Sequence, residues 1–189
     1  MFSHDARLVA HWYADGRVTT SNVATGREAL TTWHGNQSIV NAAFSSDDTL
    51  LATASYDGAT RICDVATGFT RHVLRPASAV SGDQGVVWSA AFNPDGTRLA
   101  TGSKNRRIRL WDVASGQELI SSSRHAGTVM CLAWSPDGTQ LASGGYDGTV
   151  CIWDSLSVAQ RRERAKRGDQ PPLAAVRQPL IHKPDADPP

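Results

Sequence analysis

The sequence is poor in the features that mark membrane-spanning and metal-binding proteins. It has 3 cysteines in 189 residues, 7% aromatic residues and a formal net charge of +1. The cysteines, Cys63, Cys131 and Cys151, stand at no metal-ligand spacing, so we expect reduced thiols and no metal. No run reaches the roughly 18 uncharged apolar residues of a membrane-spanning helix. The small net charge gives no overall attraction to nucleic acid or membranes.

The first residues, MFSHDARLVAHW, contain no basic segment followed by an apolar run. We therefore expect no signal peptide and a cytoplasmic location. No glycine-rich phosphate loop opens a predicted helix in the first 154 residues, and the Asp-Gly pairs there are typical of turns. We therefore expect no cofactor.

The sequence does contain one stretch that occurs four times, in more or less complete form. It is most complete from His125 to Asp154, where three short apolar runs are separated by turn sequences rich in Pro, Asp and Gly. Two positions recur 42 or 48 residues apart, an aromatic at Phe44, Phe92 and Trp134, and a turn residue at Asp15, Asp57, Asn105 and Asp147. A period of about 42 residues with several short strands is typical of a radial or solenoid array.

The unit resembles the WD40 repeat, whose signature dipeptide stands at Trp111-Asp112 and Trp153-Asp154. The resemblance covers residues 2–154 and implies an all-β fold of β-propeller blades. We predict about four blades, with the first and last incomplete, because the first lacks its innermost strand and the last shows no outermost strand. The predicted units span residues 2–32, 39–74, 86–122 and 125–154, and an enlarged loop lies within residues 75–84.

The tail, residues 155–189, differs in composition from the repeats. Residues 158–167 carry a basic run and predict a short helix. Residues 168–189 contain six prolines and few large apolar side chains. Such a segment buries too little apolar surface to offset its ordering entropy, so we predict a disordered tail.

Four blades make an open arc, about half of a seven-bladed ring. A propeller protects its blades by closing, so an open arc leaves apolar end faces without a neighbour. We expect the chain to be a fragment of a larger ring, such as a truncated product. The alternative is self-association, in which two chains complete a ring through their end faces, although each chain lacks one strand at either end.

Four polar residues of the last unit, His125, Ser143, Asp147 and Trp153, fit a structural tetrad found in similar WD40 repeats. The buried indole needs an acceptor, the hydroxyl relays to the imidazole, and the carboxylate binds turn N–H groups. A Ser–His–Asp catalytic triad is the alternative, and we favour the tetrad. Other units carry parts of it, namely His34, Thr53 and Asp57 in the second, with Cys63 in place of Trp, and Thr101, Asn105 and Trp111 in the third.

A partner-binding face is predicted from the resemblance to the β subunit of heterotrimeric G proteins. There, partner contacts lie at the start of the first strand and just before the turn acid. Aromatic residues and Met at those positions favour a protein interface. Strand alternation alone would bury Trp88 beside Phe92, whereas a strand distortion known in the family would turn it to the face. The predicted face comprises Tyr56, Trp88, Lys104, Met130 and Tyr146.

The resemblance implies a non-enzymatic protein–protein interaction scaffold, as part of a larger regulatory protein, with an unidentified protein partner. A propeller-borne enzyme and a non-functional repeat remnant are alternatives. A third alternative is binding of nucleic acid or an anionic surface through the basic hairpin at residues 104–109 and the basic run at 161–167. We favour the scaffold because no nucleophile, acid pair or metal cluster stands out.

Overall fold

The computed structural model describes residues 1–35, 37–76, 85–155 and 177–179, apart from the side chains of 29–31 and 177–179. These residues form four sheets of three or four strands. The described part of the chain contains no helix and therefore none that is long and apolar enough to cross a membrane. The fold is all-β, an open arc of propeller blades, as predicted.

Each sheet is one blade, with its strands in sequence order from the inner to the outer edge. Blade 1 contains β1 (Leu8–Trp12), β2 (Arg17–Asn22) and β3 (Glu28–Trp33). Blade 2 contains β4 (Ile39–Phe44), β5 (Leu50–Ser55), β6 (Thr60–Asp64) and β7 (Thr70–Leu74). Blade 3 contains β8 (Val87–Phe92), β9 (Arg98–Ser103), β10 (Ile108–Asp112) and β11 (Glu118–Ser122). Blade 4 contains β12 (Val129–Trp134), β13 (Gln140–Gly145), β14 (Val150–Asp154) and β15 (Arg177–Pro179).

The tight turns between the first two strands of a blade are built by aspartates. In blades 2, 3 and 4 the carboxylate accepts a hydrogen bond from the backbone N–H two residues later. The bonds are Asp47 to Thr49 at 3.1 Å, Asp95 to Thr97 at 2.8 Å and Asp137 to Thr139 at 3.0 Å. Such a side-chain turn fixes the reversal without help from the core.

The blades pack face to face through three apolar clusters, one at each junction. Blades 1 and 2 meet through a cluster that contains Ala10, Phe44 and Leu51. Blades 2 and 3 meet around Ile62 and Trp111. At the junction of blades 3 and 4 a Cβ on Gly102 would lie 2.6 Å from Val129. Glycine therefore allows the close approach of these two blades.

The first blade has a short remnant of an innermost strand. Phe2 forms an antiparallel bridge with Val9, and Met1 exchanges backbone hydrogen bonds with Ala10 in both directions, at 2.7 and 3.0 Å. Two residues therefore occupy the place where we expected no strand.

The last blade has an outermost strand that we did not predict. Arg177–Pro179 pairs in parallel with β14, opposite residues 152–154. These three residues fall within the segment 168–189, which we predicted to be disordered. The free edge of β14 offers backbone groups that an extended segment can satisfy. The predicted basic helix (158–167) and most of the predicted enlarged loop (77–84) lie outside the described residues.

Candidate functional site

The four tetrad residues of blade 4 form one hydrogen-bonded chain. The Trp153 indole Nε1–H donates to Ser143 Oγ at 2.8 Å, and Ser143 Oγ lies 2.8 Å from His125 Nε2. His125 Nδ1 lies 3.2 Å from Asp147 Oδ2. Ser143 and His125 are buried. A buried hydroxyl that already accepts an indole proton cannot meet a substrate, so the geometry favours a structural role over nucleophilic catalysis.

The partners of His125 assign its tautomer. A carboxylate only accepts, so Nδ1 carries the proton, and Nε2 then accepts from the Ser143 hydroxyl. The Asp147 carboxylate also accepts from Thr149 and from the backbone N–H of Ala126. The Thr149 hydrogen bonds, followed by those of His125 and Ala126, outweigh desolvation and hold the pKa of Asp147 well below its usual range.

Blade 2 contains a different network around its own histidine. Arg61 Nη1 lies 2.7 Å from His34 Nδ1 and 3.3 Å from Asp57 Oδ2. The Thr53 hydroxyl bonds to His34 Nε2 and also to the Arg61 carbonyl oxygen at 3.4 Å. A guanidinium only donates, so His34 Nδ1 accepts and Nε2 carries the proton. The two buried histidines therefore hold opposite tautomers.

Arg61 also sets the charge of its histidine. Burial, followed by the charge of Arg61, lowers the pKa of His34 to about 3, so this imidazole is neutral near pH 7. Arg61, which stands two residues before Cys63 on β6, is not among the site residues predicted from the sequence. Its position in the sequence could have indicated it, because residues two apart in a strand lie on the same face. Arg61 is therefore on the face of the residue that stands at the third-strand Trp position.

Blade 3 retains only the indole end of the tetrad. Trp111 Nε1–H donates to Thr101 Oγ1 at 2.9 Å. Asn105, at the turn position, has a buried side-chain oxygen without a hydrogen-bond partner among the described residues. Asp83 and Gln84, which stand near the expected place of the histidine, lie outside the described residues.

A β-bulge at the start of the first strand recurs in blades 2, 3 and 4. The pairing skips one residue each time, namely Val40, Trp88 and Met130. A bulged residue leaves the strict alternation of the strand. Trp88 is therefore not held on the side of Phe92. Its ring contacts the Tyr56 ring edge to face at 5.8 Å between centroids.

The other predicted face residues sit just before the turns. The backbone N–H groups of Tyr56, Lys104 and Tyr146 each donate to the carbonyl oxygen of the residue directly before the first strand of the same blade, at 2.7–3.0 Å. The accepting residues are Ser38, Val86 and Thr128. This contact places the three residues at equivalent points of consecutive blades. All three side chains are exposed, and Tyr146 is 83% exposed. Met130 is exposed and Trp88 is half-buried.

The basic hairpin of blade 3 presents fewer cations than its sequence suggests. Arg109 is only 4% exposed and lies 3.7 Å from Glu118. Arg107 is half-buried and donates to Ser121 at 3.1 Å. Lys104 and Arg106 are the exposed cations of this hairpin. The basic run at 161–167 lies outside the described residues.

In the part of the chain that the structure describes, no group of three or more His, Cys, Asp or Glu side chains is placed to hold a metal ion. A shallow cavity of about 360 Å³ lies between blades 2 and 3. Its rim carries Arg71, which pairs with Asp64 at 2.6 Å, and His72, which contacts the Ala114 carbonyl oxygen. These side chains already have partners within the protein.

Comparison with family models matches the WD domain, G-beta repeat, at residues 27–64, 75–112 and 116–154. The chain belongs to the WD40 repeat family. The first and third matches each begin before the outermost strand of one blade and end on the third strand of the next. The sequence repeat thus links neighbouring blades. No curated protein matched the chain.

Proposed function

We propose that this WD40 chain is a non-enzymatic scaffold that binds a protein partner through its interaction face. We define the interaction face as Tyr56, Trp88, Lys104, Met130 and Tyr146. WD40 repeats are in general protein-interaction modules.

The observation that carries the proposal is the bulge repeated at Val40, Trp88 and Met130. It releases Trp88 and Met130 from the alternation that would bury them between blades. The half-buried Trp88 ring then lies edge to face against the exposed Tyr56 ring. Accessible aromatic and Met side chains are frequent anchors of protein interfaces.

The charges around the interaction face favour an acidic partner segment. The turn carboxylates are engaged within the protein, since Asp57 pairs with Arg61 and Arg75 at 3.3 and 3.0 Å, and Asp147 pairs with His125 and Thr149. Lys104 is exposed at the equivalent turn of blade 3. We therefore propose an extended peptide that places an apolar side chain on the Tyr56–Trp88 pair and a carboxylate near Lys104.

Peptide display on the purified chain tests the proposal. We expect enriched peptides to combine an aromatic or aliphatic anchor with Asp or Glu, and Tyr146→Ala with Tyr56→Ala to weaken them at least tenfold. Lys104→Ala should weaken them less and reduce their salt dependence. The matched control is Phe69→Ala, an exposed aromatic outside this face.

Two results would refute the interaction face. One is that the enriched peptides bind the double tyrosine variant as tightly as the unchanged chain. The other is that Phe69→Ala weakens them equally. Far-ultraviolet circular dichroism of each variant should match the unchanged chain, because all of the substituted side chains are exposed.

The cytoplasmic location is also proposed. It is supported by three free cysteines, Cys63, Cys131 and Cys151, which are typical of a reducing compartment.

A further inference from the structure

The end face of blade 4, which is the side turned away from blade 3, is apolar and packs against no other blade among the described residues. Val150 is 65% exposed, whereas Ile108, at the equivalent position of blade 3, is 1% exposed. Ile152 and Ala142 are half-buried, whereas their equivalents in blade 3, Leu110 and Ala100, are buried against blade 4. The same positions that join blade 3 to blade 4 are therefore open on blade 4.

The end face of blade 1, which is the side turned away from blade 2, also exposes apolar side chains. Phe2 is 60% exposed, whereas Phe44, at the equivalent position of blade 2, is 5% exposed. Val23 is exposed and Val9 half-buried, whereas the equivalent Val65 and Leu51 of blade 2 are buried in the cluster shared with blade 1. In blade 2 the equivalent surface packs against blade 1. Blade 1 therefore has the same kind of packing surface, but leaves it exposed.

These two open faces are the two halves of the junction that already occurs three times within the chain. Within the arc, the Ile108 side of one blade packs against the Leu141 and Trp153 side of the next. The six open positions are Phe2, Val9, Val23, Ala142, Val150 and Ile152. None of them carries a charge that would oppose contact.

We propose that a second copy of this chain seats its blade 1 on blade 4 of the first copy, and that the reciprocal contact closes one eight-bladed ring. Known propellers contain about four to eight blades, and two arcs of four blades reach the upper end of that range. A head-to-tail contact forms a closed assembly when its rotation completes the circle. Apolar burial at both junctions supplies the driving force.

The end strands remove one objection to this ring. Met1 and Phe2 pair with β1, and β15 pairs with β14. The inner edge of blade 1 and the outer edge of blade 4 therefore have backbone hydrogen-bond partners. These are the two edges at which we predicted a missing strand. The proposal does not depend on the interaction face, because the end faces contain none of its residues.

Sedimentation velocity or light scattering of the full chain over a wide concentration range tests the ring. We expect a species of about 41 kDa, twice the 20.3 kDa of one chain. Val150→Glu should shift it to one chain's mass, and Val23→Glu at the other end should do the same. Both side chains are exposed, so neither change should alter the circular dichroism spectrum. Leu119→Glu, an exposed side chain on β11, is the matched control and should leave the mass unchanged.

Mixing the two end variants sharpens the test. Each variant keeps one intact end, so the mixture should form pairs through a single junction, while either variant alone stays at one chain's mass. A dimer that survives Val23→Glu but not Val150→Glu would show a blade 4 to blade 4 contact and overturn the head-to-tail arrangement. Assemblies of more than two chains would refute the proposal that two chains form a closed ring.

A mass of one chain at every concentration would refute the proposal that a second copy covers the two end faces. It would point to a blade of another protein, or of a longer form of this chain, as the cover of these faces. None of these masses depends on whether peptides bind the interaction face, so the two proposals fail separately.

Discussion

Blades 2 and 4 place a buried histidine at the same position and surround it with opposite chemistry. In blade 4 a carboxylate faces His125 Nδ1, and an indole completes the chain through Ser143. In blade 2 a guanidinium faces His34 Nδ1, and Cys63 stands where the indole would be. One repeat position can therefore hold either tautomer, because the residue opposite the ring decides which nitrogen donates.

Replacement of the third-strand side chain should give the largest difference between the two blades. Trp153→Ala removes a large, fully buried side chain and should lower the free energy of unfolding by about 3–5 kcal/mol. The matched change Cys63→Ala removes one small buried group and should cost about 1 kcal/mol. Urea denaturation followed by circular dichroism measures both. Equal losses would show that Trp153 does not anchor its blade.

Removal of each histidine is the next comparison. His125→Ala leaves the Ser143 hydroxyl without its acceptor and should cost about 1–3 kcal/mol. His34→Ala should cost less, because Thr53 keeps the Arg61 carbonyl oxygen and Arg61 keeps Asp57. Urea denaturation midpoints give both values. A larger loss at His34 would mean that the arginine depends on the imidazole.

Acidification should act on blade 2 through His34. Its pKa of about 3 in the fold lies below the roughly 6.5 of an unfolded histidine, so the unfolded chain binds the extra proton. Stability from this group is complete above about pH 6.5 and falls as the pH drops toward 3. Between pH 7 and pH 5 we expect a loss of about 2 kcal/mol, measured by urea denaturation at each pH.

The control for this pH dependence is His34→Gln, which cannot titrate. The variant should lack the loss of stability that His34 causes between pH 7 and pH 5, and its stability should otherwise depend on pH as that of the unchanged chain does. Asp147, whose pKa is held low chiefly by Thr149, loses its contribution only as the pH falls below about 3.8, the ordinary value for a free aspartate. A His34→Gln variant with an unchanged profile between pH 7 and 5 would contradict the assignment of a neutral His34.

The smallest expected change in stability concerns the hairpin turn of blade 3, compared with the equivalent turns of blades 2 and 4. Arg106 has a positive φ of 67°, where blades 2 and 4 have Gly58 and Gly148 at 74°. A side chain in this conformation costs about 1 kcal/mol. Arg106→Gly should therefore raise the free energy of unfolding by about 0.5–1 kcal/mol. Arg106→Ala is the matched control and should give no such gain, since alanine keeps the Cβ.

Much of the tetrad and the repeat frame could be predicted, because both rest on residue spacing. His125, Ser143, Asp147 and Trp153 stand at characteristic distances from one another, parts of which are kept in blades 2 and 3. The turn aspartates mark the strand ends. Arg61 and Arg109 could not be assigned in this way. Both lie two residues before the third-strand Trp position, but one contacts a histidine and the other a glutamate on β11, and a strand pattern does not say which neighbour is opposite.

The sequence by itself determined that this chain forms WD40 blades, because strand alternation, Asp-based turns and a period of about 42 residues are local properties of the chain. Only the tertiary structure decided where Trp88 points, which tautomer each buried histidine holds, and which apolar positions stay uncovered. These depend on a bulge, on side chains brought together across strands, and on whether another blade lies alongside. Contacts between residues far apart in the chain set all three, and such contacts exist only after the blades have packed.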